Sequence, residues 1–312
     1  MSRLIVYATG FILLLLTLII FPPILTEGDL GLCVASPNEW HIPKFPGWLI
    51  NSILIFLSVA VMASANKKYN FIPEAEPVMP MAMVLLLATN CLTTATLTTS
   101  TLLLFINALA LFIIITTYEE MNTTREFFII GTLPAIGAMF QYSFLVMIPV
   151  YIGGGLLMKS FRIRELIAFI FGLAAPYWIA LGMGMVKPEA FHMPGTLTVF
   201  RSETIDQDIL MTLIAAGVMS LAGFILSLYN GVRLFNRNSR LRCIHMTFNL
   251  MGYASILAII FNFNNFTAYF GTLALWVAIE TALLLHLYEI RNYRIPLIVL
   301  FLIFLPLYII SL

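Results

Sequence analysis

Residues 127–158 read FFIIGTLPAIGAMFQYSFLVMIPVYIGGGLLM, and the reading of this stretch decides the fold. It runs for 32 residues without one charge. A helix that crosses a bilayer needs about 20 apolar residues, and short ones about 17. The run is therefore long for one crossing and tight for two. Its centre holds Gln141, Tyr142 and Ser143, with Pro134 and Gly137 before them and Pro149 and Gly153-Gly154-Gly155 after. Whether it crosses once or turns back sets the side on which every later loop lies.

Composition sets the class in which that choice is made. Hydrophobic residues make up 61% of the 312-residue chain and charged residues only 10%, against about a quarter charged in soluble proteins. The mean hydropathy of +0.99 leaves no room for a sizeable water-soluble domain. The expectation is an all-α, polytopic integral membrane protein with one transmembrane domain over residues 1–312. A membrane barrel would alternate apolar and polar residues in short segments, whereas this chain has continuous apolar runs.

Further apolar runs cover residues 4–24, 47–65, 79–94, 98–118, 166–186, 209–229, 246–261, 268–288 and 295–312. The first lacks a small-residue cleavage pattern and reads as an uncleaved helix. Basic residues between the runs then test residues 127–158, because cytoplasmic loops are enriched in Lys and Arg. With two short helices there and a cytoplasmic N-terminus, 13 of the 16 basic residues fall inside, and only Lys44, Lys187 and Arg201 fall outside. A single crossing reverses everything downstream and leaves 6 inside against 10 outside. The expected topology is about eleven spans, with a hairpin at 127–158, the N-terminus cytoplasmic and the C-terminus outside. Cys33, Cys91 and Cys243 fall in different compartments of this scheme, so no disulfide is implied.

Candidate chemistry is sparse. Glu280 is the only charge deep in an apolar run, nine residues from Glu289 and so about 13 Å from the cytoplasmic end. A carboxylate there costs about 2.5–3.5 kcal/mol to insert, so it is expected to be protonated or paired. The functional reading is a proton-coupling or substrate-contacting acid. The structural reading is an acid bonded to a neighbouring helix, through Asn249, Ser255 or Asn107.

Two outer loops hold most of the remaining polar groups. The first carries Glu27, Asp29, Glu39, His41 and Lys44, and the second carries Glu189, His192, Arg201, Glu203, Asp206 and Asp208. Glu39 and His41 with Glu189 and His192 have the donor types that suit zinc, but no recognised ligand spacing, so no metal and no other cofactor is expected. Gln141 and Tyr142 at the hairpin apex, together with His41, His192 and Arg201, are candidates to line a substrate cavity at the outer face. The basic run from Arg233 to Arg242 is accounted for by topology and anionic lipid, and no nucleic-acid partner is expected. The threonines between Thr89 and Thr101 fit bonds back to helix carbonyls and across to neighbouring helices.

Residues 127–180 combine a glycine-bearing short hairpin, the connector KSFRIRE and the span FIFGLAAPYWIA. This pattern resembles an uncharacterised family of polytopic bacterial inner-membrane proteins. More distantly, it is similar to the membrane core of GT-C-type glycosyltransferases, which use polyprenyl-phosphate sugars. The resemblance implies a multi-pass protein of the bacterial inner membrane, with a catalytic acid in the first outer loop at Asp29 or Glu27. It also implies a polyprenyl-phosphate-linked glycan as partner, besides the lipid bilayer. Two other functions compete: a transporter or flippase using Glu280, and a non-catalytic membrane subunit or assembly factor that docks another membrane protein. The internal repeat found in many carriers is not evident between residues 79–118 and 127–158.

Overall fold

The computed structural model describes residues 3–20, 40, 42–72, 78–88, 90–187, 189, 191, 207–235, 238–288 and 294–311. All regular structure among them is helical: α1 (Arg3–Ile20), α2 (Lys44–Tyr69), α3 (Val78–Ala88), α4 (Cys91–Thr94), α5 (Thr99–Thr116), α6 (Thr124–Phe140), α7 (Ile148–Leu157), α8 (Ile163–Gly182), α9 (Gln207–Leu234), α10 (Ser239–Phe261), α11 (Phe270–Leu287) and α12 (Arg294–Ser311). Two 3-10 segments, Tyr142–Met147 and Phe263–Tyr269, lead into α7 and α11. Six helices among the described residues are long and apolar enough to cross a membrane: α2, α5, α8, α9, α10 and α11.

Two helices form the centre. Every residue of α3 is buried, and in α11 all but Leu284 and His286 are. A helix that is apolar all round has no preferred wet face and belongs inside a bundle. α11 lies against α3, α5, α9 and α10, while α1, α2 and α12 close the far side of α3. The outer helices instead turn large apolar side chains outward: Trp178 of α8 is 80% exposed and Val232 of α9 is 77% exposed.

The run at 127–158 turns back on itself. Gln141 ends α6 in extended backbone, and the 3-10 segment and α7 return the chain. At the open end of the hairpin, Glu119 N donates to Met158 O at 3.0 Å. Thr123 Oγ1 donates to Ser160 O at 3.2 Å, and Lys159 Nζ pairs with Glu119 at 2.8 Å. That ion pair holds the exposed Glu119 carboxyl below its ordinary value and the Lys159 amine above its own. α6 is about 25 Å long, and the 3-10 segment with α7 about 27 Å, so each arm approaches the roughly 30 Å of a hydrocarbon core. The arms splay: α6 packs on α8, and α7 on α10.

At the α6–α8 seam two backbones come close together. A Cβ on Gly172 would lie 2.1 Å from Phe128 O, and one on Gly131 would lie 2.3 Å from Phe169 O. Only glycine lets two helices meet at that distance.

Several helix ends meet at one basic end. Tyr118 OH donates to Ser239 Oγ at 3.2 Å, joining α5 to α10. The Arg240 guanidinium lies 5.0 Å from the Tyr69 ring and 5.6 Å from the Tyr118 ring, drawing in α2. Arg233 stands 4.9 Å from the Tyr288 ring, joining α9 to α11. Lys67, Lys68, Arg125, Lys159, Arg162, Arg164, Arg233, Arg240 and Arg242 all belong to the helix ends and turns of this side, whereas Lys44 begins α2 and Lys187 follows α8 at their opposite ends.

Two expectations are corrected here. The apolar run 79–94 is not one helix: α3 stops at Ala88, and Asn90 starts a new turn by accepting from Thr93 N at 3.0 Å through Oδ1. Asn51 of α2 braces the break by donating to Thr93 O at 2.9 Å and Thr94 O at 3.2 Å. Several helices also outrun their apolar stretch at the basic end. α10 begins at Ser239, where Asn238 Oδ1 accepts from Arg240 N at 3.2 Å, and α9 continues to Leu234.

Candidate functional site

Glu280 sits in the third-last turn of α11 with no exposed surface. Its partners are residues of α9 and α10 that lie beyond the apolar runs read from sequence. Asn230 Nδ2 donates to Glu280 Oε2 at 2.6 Å and to the Glu280 backbone carbonyl at 2.9 Å. His245 Nε2 lies 3.2 Å from Oε2 and 3.1 Å from Oε1. The expected partners Asn249, Ser255 and Asn107 do not touch the carboxylate. Ser255 instead bonds Thr272, and Asn107 accepts from Tyr151 OH.

Asn249 acts one residue removed, bonded to Trp276 on one side and set against the imidazole on the other. Trp276 Nε1, which can only donate, reaches Asn249 Oδ1 at 2.9 Å. That leaves Asn249 Nδ2 facing the imidazole, 3.4 Å from Nδ1 and 3.1 Å from Nε2. The imidazole thus stands between the Asn249 amide and the Glu280 carboxyl group.

One oxygen of the Glu280 carboxyl group is left without a hydrogen bond. Oε1 is buried and makes no hydrogen bond, although Nε2 is close, because hydrogen-bond geometry is met at Oε2 alone. Asn230 Oδ1 is a second buried acceptor without a donor. Two such acceptors in one buried cluster, one of them on the carboxyl group itself, are unusual in a protein interior.

Trp276 is what holds this arrangement in register. Its ring fits between α9 and α10 where glycines leave space: a Cβ on Gly252 would lie 2.1 Å from the ring, and one on Gly223 2.5 Å. Tyr253 meets the same ring edge-on, with centroids 5.5 Å apart, and its hydroxyl bonds Ser227 Oγ at 2.7 Å. Thus α9, α10 and α11 each contribute to orienting one carboxylate.

Gln141 has a different role from the one its apex position implies. It is buried, and both ends of its amide are used: Oε1 accepts from Thr99 Oγ1, and Nε2 donates to Asn265 Oδ1 at 3.1 Å. Asn265 in turn donates to Asn262 at 3.2 Å, and Ser100 Oγ accepts from Gly271 N at 2.9 Å. The start of α5, the hairpin apex, the end of α10 and the start of α11 are tied together by this polar layer. Replacing Gln141 by leucine leaves Asn265 Oδ1 without that donor, and is expected to cost about 1–3 kcal/mol, read as a lower unfolding temperature of the detergent-solubilised protein. Tyr142 begins the 3-10 segment next to it and is half-buried. Glu27, Asp29, His41, His192 and Arg201 lie outside the described residues, as do Glu203 and Asp206.

His245 and Asn230 were the residues missed by reading apolar runs alone. The signal was present in Asn238-Ser239, a helix-start pair: a helix begun there carries His245 and Asn249 one turn apart on the same face. No family model, curated protein or solved structure matches this chain.

Proposed function

We propose that this protein is a multi-pass membrane transporter whose central Glu280–His245 pair binds and releases the coupling proton. The carrying observation is a fully buried carboxyl on the central helix, held by Asn230 and His245, with one oxygen open to a proton. Ionisable residues inside a membrane bundle are costly to bury and are kept chiefly for pathways and relays. A proton arriving at Oε1 converts an acceptor-only carboxylate into a donor, and Asn230 Oδ1 is an acceptor in the same cluster. Because Glu280 lies on the helix that α3, α5, α9 and α10 all touch, a change of its charge acts on the whole centre.

In this reading the basic end is cytoplasmic, with the hairpin ends and nine described basic residues on it. α3 with α4 counts as one crossing, which makes eleven spans with the N-terminus inside and the C-terminus outside, in a bacterial inner membrane. The alternative of a GT-C-like enzyme on a lipid-linked glycan depends on Asp29 and Glu27, which lie outside the described residues.

The test is a pH jump applied to proteoliposomes adsorbed on a solid-supported membrane. Wild-type protein should give a transient charge displacement, Glu280→Asp should retain part of it, and Glu280→Gln should give none. The glutamine keeps the shape of the side chain, so monodisperse Glu280→Gln protein with a wild-type current overturns the proposal.

A further inference from the structure

At the basic end, the first three turns of α6 and α8 enclose an open groove of about 860 Å3, within the roughly 300–1,000 Å3 range of ligand clefts. Its walls are apolar and exposed: Phe128 is 39% exposed, Ile167 50% and Phe171 64%. Two arginines flank its mouth. Arg125 and Arg164 line it from the first turns of the two helices, and neither has an ion-pair partner among the described residues. Neither helix has a side-chain N-cap. Thr124 Oγ1, also on the groove, is buried without a hydrogen-bond partner. Glu126 and Glu165 share these first turns but do not line the groove, and neither pairs with either arginine.

We infer that this groove binds one anionic diacyl phospholipid. Its phosphate sits between the Arg125 and Arg164 guanidinium groups, and an acyl chain lies along Phe128, Ile167 and Phe171. A free phosphate would use the mouth and leave the apolar walls wet; a zwitterionic lipid would use the walls and leave the arginines uncompensated. Only an anionic lipid satisfies both. Basic pockets between helices on a cytoplasmic membrane face favour such headgroups, and planar guanidinium groups bind phosphate oxygens in a fork. The inference rests on the membrane placement proposed above but not on proton coupling.

The test is native mass spectrometry of the full chain released from micelles that hold phosphatidylglycerol and phosphatidylcholine. Wild-type protein should retain phosphatidylglycerol roughly tenfold over phosphatidylcholine. Arg125→Gln/Arg164→Gln should lose that preference, and Ile167→Trp should lose both lipids by filling the groove. Inorganic phosphate should not displace the lipid. A double variant that keeps the wild-type preference for phosphatidylglycerol, or displacement by inorganic phosphate, overturns the inference. Failure of the membrane placement would look different, since the protein would then purify without detergent.

Discussion

Replacing His245 with leucine is expected to lower the stability of the solubilised protein by about 3–5 kcal/mol, because it leaves the buried Glu280 carboxyl with Asn230 as its only side-chain partner. The matching experiment replaces both members. His245→Leu/Glu280→Met removes the buried charge as well as its partner, and stability should return to that of the wild type or exceed it. Unfolding by heat or denaturant in one detergent measures both. The double variant also separates stability from function: it should be well folded and give no charge displacement on a pH jump. If the single and double variants are equally destabilised, the pair contributes packing rather than charge, and the proton-binding account loses its basis.

The second large effect concerns the α6–α8 seam. Gly172→Ala puts a methyl group 2.1 Å from Phe128 O, a backbone atom that cannot rotate aside. Overpacking of this kind costs about 1–3 kcal/mol when side chains can adjust, and a backbone clash belongs at the upper limit of that range. Gly172→Val should go further and part the two helices. α8 is held mainly by α6, so its release should appear as new protease cleavage in the 158–162 turn before any change elsewhere. The lipid groove lies between the same helices, and the same variant should lose phosphatidylglycerol retention. A Gly172→Val protein as stable and protease-resistant as the wild type would mean that the seam is not formed as described.

The hairpin at 127–158 was legible in sequence because topology is written in charge. In the reading with a returning chain, 13 of the 16 Lys and Arg residues collect on one side, against 10 with a single crossing. Glu280 was legible for a related reason: one carboxyl in a long apolar run has no bland surface role. Its partners were not legible, for two physical reasons. The length of a helix is not set by its apolar stretch alone, so α9 and α10 carry Asn230 and His245 beyond their apolar runs. And the pair joins residues 35 positions apart on different helices, a separation no local pattern reports. Gln141 illustrates the opposite difficulty. A glutamine at an apex reads as outward-facing, yet the glutamine amide donates and accepts at once, which suits it to knit Thr99 to Asn265 inside the bundle. The break after α3 was hidden because Asn90, Thr93 and Thr94 satisfy their own backbone, as threonines and asparagines do in apolar surroundings.

The central proposal is that the coupling proton binds at the Glu280 carboxyl group. Infrared difference spectroscopy of the protein in lipid, recorded between acid and alkaline buffer, tests it most directly. The account predicts a protonated-carboxyl carbonyl band that grows as the pH falls, shifts in heavy water, and is missing from Glu280→Gln while remaining, at an altered frequency, in His245→Asn. A difference spectrum in which that band is unchanged in Glu280→Gln, or in which imidazole ring modes titrate instead, would contradict it.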